Sequence, residues 1–308
     1  MDYEESLMTK AAWYYYFEEM TQQQVAQLMG ISRMRVIRLL DKARQTGIIQ
    51  FKLRKDGESR MQLERNLMKE YGLQDAFVVP APVHHSAVNA GVAEAASMYI
   101  SERLTDNAFI NMGYGDTPSR ILNNLATMTD KPISCISLTG GVSYYLPDTR
   151  SNVFMAKLHL IPAPLLTSSR EMAEALRLEA SVQELSRMIS LAQMTVVGIG
   201  AMHESATIFK SGVLNHNDFL YLKMQGAEGD LLCHFIDQNG DLLETPLEER
   251  LISAPLSTLK QLNNVIGVAA GDNKVNAIRA ALRGQYLDIL VTDDRTARQL
   301  LGMENDAT

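Results

Sequence analysis

Three short segments of the 308-residue chain combine glycine with small hydrogen-bonding side chains in a way that could hold an anion: GYGDTPS at 113–119, TGGVS at 139–143 and GDNK at 271–274. Each follows an apolar run, AFINM, ISCISL or NVIGVAA, so each should lie where a strand gives way to a helix. At such junctions backbone N–H groups without helical partners, together with hydroxyls, can turn toward a phosphate. One glycine segment of this kind often marks only a turn; three in one sheet suggest a site. Lys274 is placed in the first turn after Gly271, where a cation opposes the helix dipole by about 0.3 to 1 kcal/mol. An incoming phosphate would reverse that sign. GAEGDLL at 226–232, centred on Asp230, could offer a carboxylate to ligand hydroxyls, or could be a turn acid before the DQNGD hairpin at 237–241. His84, His85 and His203, with Asp116 and Asp230, are possible acid–base groups. No histidine adjoins a glycine loop in a recognisable catalytic arrangement, so no catalytic residue is assigned and the chemistry reads as binding. Cys135 and Cys233 stand far apart in apolar surroundings without CxxC spacing, which argues against a disulfide framework or a zinc site. No metal or cofactor is implied.

The elements that must position these residues follow from periodicity. AFVV, AFINM, ISCISL, TVVGIG, NVIGVAAG and LDILVTD read as buried strands, and helical patterns cover 88–104, 117–125, 172–191, 273–283 and 295–301. This alternation predicts an α/β fold, a doubly wound parallel sheet, in which ligands bind beyond the carboxyl ends of the strands.

A second cluster has a different chemistry. Thr21 is an N-cap candidate with Gln24 three positions on, Gly30 stops that helix, and Ser32 can cap the next. In the second helix Val36, Leu39 and Leu40 face inward and leave Arg33, Met34, Arg35 and Arg38 outward. This is helix-turn-helix spacing, whose second helix can enter a major groove and present arginine to guanine edges or phosphates. A helix ahead of it at 4–19 should use Leu7, Ala11, Tyr14 or Tyr15 and Trp13 as its apolar face. After Gly47, GIIQFKL alternates like a strand and RKDG follows, which predicts a basic β-wing. Thr21, Gln22, Ser32, Arg33, Met34, Arg35 and Arg38 are the candidate DNA contacts.

Charge supports this division. The net charge is −7, yet 21–55 carry eight basic residues against Asp41 alone, a local +7, and 61–308 balance at −9. Charge distribution outranks the total here: a small basic module joins a large acidic one. The expected organisation is a winged helix-turn-helix at 1–56, a connecting helix at 57–74 with Met61, Leu67 or Met68 and Tyr71 on one stripe, and an effector-binding and oligomerisation domain at 75–308. No stretch reaches the roughly 18 apolar residues a membrane helix needs. The start, MDYEESLMTK, is acidic where a secretory signal would be basic and then apolar, so a cytoplasmic protein without membrane contact is expected.

The motifs also occur in a familiar order. The pattern at 20–49, then GYGDT, LTGGV, IPAP at 161–164, VGIGA, GAEGDLL, GDNK and LVTDDRTA, resembles the SorC/DeoR family of bacterial sugar-binding transcriptional regulators over essentially the whole chain. IPAPL and VGIGA are most similar to the branch that contains the autoinducer-2 uptake regulator. The resemblance implies an effector domain similar to sugar-phosphate isomerases and deaminases, a phosphorylated sugar or polyol as effector, operator DNA as partner, and homo-dimers or homo-tetramers. By motif it implies a ligand shell of Gly115, Asp116, Thr117, Gly140, Gly141, Val142, Asp230, Asn273 and Lys274. Met34 and Arg35 stand where family members differ, so the operator does not carry over. The alternative from another class is a sugar-phosphate isomerase or deaminase carrying a DNA-binding module.

Overall fold

A computed structural model describes residues 3–49, 55–129, 131–141, 157–204 and 206–303. Its contacts divide the chain into two compact units, Met1–Glu58 and Ser59–Thr308.

The first unit is built from helices α1 (Tyr3–Tyr16), α2 (Gln22–Met29) and α3 (Arg33–Gln45). The Gln24 amide donates to Thr21 Oγ1 at 3.3 Å while the Thr21 amide donates to Gln24 Oε1 at 2.8 Å, a complete capping box. Gly30, at φ 66°, ends α2 in the left-handed region, and Ser32 Oγ accepts from the Arg35 amide at 3.2 Å to start α3. The core is Met8, Ala11, Val25, Ala26, Val36, Leu39, Leu40 and Ala43. One apolar expectation fails: Trp13 is 53 % exposed, stacked on Phe17 and donating to Glu18. Met8, next to the expected Leu7, is what the three-helix packing covers instead. Of the expected wing, Gly47–Ile49 form a turn and bend, and residues 50–54 lie outside the described residues. Lys55, Asp56 and Gly57, read from sequence as the end of that wing, instead open helix α4 (Lys55–Tyr71).

In the second unit, α4 buries Leu63 and Leu67 against the large core, Tyr71 donates to the Leu300 carbonyl at 2.9 Å, and Met61 is exposed. Then follow β1 (Asp75–Val79), α5 (Val88–Ser101), β2 (Ala108–Met112), α6 (Asp116–Met128), β3 (Ile133–Ser137) and β4 (Lys157–His159). Next come α7 (Arg170–Leu178), α8 (Ala180–Met188), β5 (Met194–Ala201), α9 (Thr207–Lys210), α10 (His216–Met224), β6 (Gly229–Leu231) and β7 (His234–Ile236). The chain closes with α11 (Leu256–Leu259), β8 (Val265–Val268), α12 (Val275–Arg283), β9 (Ile289–Asp293) and α13 (Asp294–Leu300).

Strand order is β1-β9-β8-β5-β2-β3-β4, all parallel, with β6 antiparallel on the end of β5 and β7 on β6. Side chains alternate between two layers, so both faces are apolar, as a doubly covered parallel sheet requires. Val265 and Leu290 pack with α4, α12 and α13, whereas Ile266, Ile289 and Val291 pack with α5 and α6. The single helix expected at 172–191 is two, broken at Glu179 (φ −61°, ψ 135°). Ala173 and Val182 explain the break: nine residues apart on one helix they would face roughly opposite ways, yet both are buried in one cluster with Ile161, Ala163 and Ile252. Among the described residues no helix is long and apolar enough to cross a membrane.

Candidate functional site

From β2 the chain steps to β3 on one side, while β5, on β2's other side, leads on to β8. Strand order therefore reverses between β2 and β5, the place where an open α/β sheet leaves a crevice at its carboxyl edge. A cavity of about 490 Å³ lies there. It is lined by Tyr114 and Gly115 after β2, the first turn of α6 (Asp116–Pro118), the end of β5 (Gly198–Ala201), Asp230 of β6, and the segment after β8 (Ala270–Lys274), with Asn89 of α5 and His203, Thr207 and Lys210 beyond β5.

The chain conformation fits this geometry. Gly115, at φ 121°, turns the chain directly into α6, whose first amides, those of Asp116 and Thr117, precede any intrahelical partner. At Gly200 a Cβ would occupy the space of the Asp230 carboxyl group, so the glycine leaves room for that carboxyl where β6 pairs with β5. Residues 272–274 form a 3-10 turn rather than α-helix, and α12 begins at Val275. That turn is braced by α13: Thr296 Oγ1 accepts from the Gly271 amide at 2.8 Å, and Asp272 pairs with Arg295 at 2.6 Å.

Three ionisable groups meet in the cavity. Asp116 Oδ2 accepts from Arg120 Nε at 2.9 Å and Asn89 Nδ2 at 3.0 Å, and the ammonium of Lys274 lies 3.5 Å from Asn89 Oδ1. Burial pushes the Asp116 carboxyl up, but Arg120, Asn89 and the charge of Lys274 together outweigh it and hold it below the usual value. Asp230 behaves oppositely: burial raises its carboxyl to about 6, against the Cys233 N–H bond and the charges of Lys274 and His234. Burial likewise lowers the Lys274 ammonium, opposed by Asp116 and Asp230. The site thus holds a lysine flanked by two carboxylates rather than a lone cation in a dipole field, which corrects the sequence-based picture of Lys274.

Of the residues expected in a ligand shell, Gly115, Asp116, Thr117, Asp230, Asn273 and Lys274 line this one cavity. Gly140 and Gly141 do not; their amides donate to the carbonyls of Ile252 and Ala163 at 2.9 and 3.0 Å. Val142 lies outside the described residues. Asp230 sits inside a strand; the DQNGD turn at 237–241 forms as expected, with Ile236 bridging Leu242, and a further, unexpected turn joins β6 to β7 at Leu232 and Cys233, with φ 54° and 68°. Asn89, which bonds both Asp116 and Lys274, and Lys210 were not singled out from sequence. A polar residue in the first turn after the first strand was the available sign for Asn89. His203, read as unrelated to any glycine loop, lines the same cavity.

The first unit presents a separate surface. Arg33, Met34, Arg35 and Arg38 are all exposed on α3, and among the described residues the three arginines form no salt bridge. Lys42 and Arg44 by contrast are paired with Glu4 at 2.7 Å and Asp41 at 2.6 Å. Thr21, Gln22 and Arg33 share an open depression at the foot of α2.

Residues 55–302 match the family described as "Putative sugar-binding domain", and residues 13–46 match "Sigma-70, region 4". The chain is 33% identical to the transcriptional regulator LsrR of Klebsiella pneumoniae over 304 residues, 97% of this chain and 94% of that one. It is 32% identical to LsrR of Escherichia coli K12 over 302 residues, 97% and 95% of the two chains. Among solved structures it is similar to the full-length sorbitol operon regulator SorC from Klebsiella pneumoniae, with a TM-score of 0.69 and 26% identity over 96% of this chain and 98% of that one. A DeoR family transcriptional regulator from Listeria monocytogenes shares the fold, with a TM-score of 0.71 and 23% identity over 79% and 99%. A parallel sheet with its crevice at the switch point, a capped helix-turn-helix and likeness over nearly the whole chain lead to one assignment: the protein belongs to the SorC/DeoR family of sugar-binding transcriptional regulators.

Proposed function

We propose that a phosphorylated sugar or polyol binds the cavity between β2 and β5 and thereby changes the affinity of α3 for operator DNA. The observation that carries this reading is Lys274, held beside two carboxylates and Asn89 at the carboxyl edge of the sheet, next to the free amides of α6. A phosphate there would meet an ammonium and helix-terminal N–H groups, while Asp230 accepts from ligand hydroxyls. Gly115, Thr117 and Asn273 supply backbone and side-chain contacts; Gly140, Gly141 and Val142 have support from motif likeness alone. On the DNA side, Arg33, Met34, Arg35 and Arg38 read the groove, and Thr21, Gln22 and Ser32 contact phosphates. A cytoplasmic homo-dimer or homo-tetramer would set two recognition helices on a palindrome.

A panel of phosphorylated sugars and polyols, each beside its dephosphorylated counterpart, tests this by thermal shift. A ligand at a hundredfold its Kd adds about 2.7 kcal/mol of stability. Selective stabilisation by a phosphorylated member supports the proposal; stabilisation by none, or equally by both forms, removes the phosphate. The site is read as binding without turnover, in keeping with relatives named as transcriptional regulators. Because Asp230 and His203 share the cavity, the same panel is assayed for product, and turnover would replace this reading with an isomerase or deaminase.

A further inference from the structure

Helix α13 binds the effector turn and the start of α4 at once. On the turn it grips two successive residues. Thr296 Oγ1 accepts from the Gly271 amide at 2.8 Å, and both carboxylate oxygens of Asp272 are held, Oδ2 by Arg295 at 2.6 Å and Oδ1 by Gln299 Nε2 at 3.0 Å. Arg279 of α12, the helix that begins straight after Lys274, donates to the Gln299 carbonyl at 2.9 Å. Asp272 and Lys274 both line the cavity, so the turn placed to meet an effector is the turn that α13 holds.

Two bonds join α13 to α4. Arg298 Nη2 donates to Ser59 Oγ at 3.0 Å, and Tyr71 donates to the Leu300 carbonyl at 2.9 Å. Ser59 and Tyr71 end a stripe with Leu63 and Leu67 between them at four-residue spacing, and those leucines share a core cluster with Ala297 and Leu300. The Ser59 bond falls at the sequence boundary of the two units, since Glu58 closes the first and Ser59 opens the second. Among the described residues Ser59 is the one side-chain partner of the Arg298 guanidinium. α13 is also built to move as a body. Asp293 Oδ1 caps it by accepting from the Thr296 amide at 2.7 Å, and Thr296, Ala297 and Leu300 are buried. A close-packed core does not deform continuously, so a helix seated in it shifts as a unit. We propose that α13 couples the effector site to the DNA-binding unit: a ligand that reshapes the Gly271–Lys274 turn moves α13 through Arg295, Thr296 and Gln299, and Arg298 passes the shift to Ser59 on α4. That a ligand occupies the turn rests on the function proposed above; the mechanical link from the turn to α4 does not.

The link is tested first on the full-length chain without added ligand, by hydrogen exchange read as peptide masses. Asp272→Asn removes the charge that pairs with Arg295 and alters no residue of α4 or α13. Amides 59–66 of α4 should then exchange at least about fivefold faster relative to those of α8, which report global stability, because couplings between sites are typically 5- to 150-fold. Arg298→Met cuts the other joint and should in turn speed exchange at 271–275, where the Gly271 and Lys274 amides are hydrogen-bonded. Asp272 and Arg298 are both partly exposed, so neither substitution opens the core. Exchange that changes only beside each substitution, or equally everywhere, overturns the proposal. The second arm titrates operator and effector together. In Arg298→Met each ligand alone should bind as in the wild type, while the factor by which one changes the other's affinity falls toward one. A wild-type factor retained in Arg298→Met overturns α13 as the route. If the two ligands ignore each other in the wild type, the proposed function fails instead, and the exchange result still decides whether turn and α4 are linked.

Discussion

Lys274→Met keeps most of the side chain's length and removes its ammonium, which separates charge from shape. The ammonium faces Asp116 and Asp230 and lies 3.5 Å from Asn89 Oδ1. Asp116 retains Arg120 and Asn89 after the substitution, but Asp230 loses a nearby opposing charge, so its carboxyl moves above about 6. A carboxyl whose folded value rises makes the native state bind more protons, so the variant loses stability relative to wild type as pH climbs through and beyond 6. Each unit of that rise is about 1.4 kcal/mol. Below the window, where Asp230 is protonated in both proteins, removing a desolvated cation should leave stability level or slightly raised. The helix dipole alone would favour removing the cation; the two carboxylates restrict that result to acid. Toward the effector, losing a charge-assisted contact should cost roughly 1.5 to 3 kcal/mol, about one to two powers of ten in Kd. Calorimetric titration with the phosphorylated sugar selected by thermal shift, and with its unphosphorylated counterpart, reads this directly. Equal weakening of both ligands, or of neither, would refute the phosphate assignment.

Arg35→Ala and Arg38→Ala should weaken operator binding by about 1 to 3 kcal/mol for a base contact, or flatten the salt dependence for a phosphate contact, with effector affinity unchanged; fluorescence anisotropy at several salt concentrations distinguishes these. Gly200→Ala sets a methyl group where the Asp230 carboxyl lies, so effector binding should fall sharply while operator binding without effector persists. Asp230→Asn removes a carboxyl held at about 6, against 3.8 for an ordinary aspartate, so its stability relative to wild type should grow by about 2 kcal/mol as pH rises from 4 to 7. Urea melts across that range check the sign; a flat difference would mean that Asp230 ionises normally.

Strands were the most legible part of the fold. Those buried on both faces, such as AFINM at β2 and ILVTD at β9, carry mostly apolar runs, and the structure starts β2 at the residue the pattern marks. β4 was hidden because an edge strand of sequence KLH buries little. The DQNGD turn at 237–241 was legible, but the turn joining β6 to β7 was not, because it uses Leu232 and Cys233, where turn chemistry would call for glycine or asparagine. The helix-turn-helix was readable from Thr21, Gln24, Gly30 and Ser32, since capping is a local interaction. Which apolar residue faces inward was less so, and Met8 rather than Trp13 is buried because three-helix packing decides it. Within the site, glycine loops and Lys274 stood out individually. Their partners did not: Asn89 lies 185 positions from Lys274 and meets it only through the sheet's crossovers.

The most direct measurement of the whole account is a pair of titrations at one salt concentration: operator DNA binding with and without saturating effector, and effector binding with and without operator. If cavity and recognition helix bias one equilibrium, each ligand must change the other's affinity by the same factor, typically 5- to 150-fold. Equal, non-unit factors are the predicted result. Superimposable curves would contradict it, leaving a sugar site and a DNA site that share a chain without controlling one another.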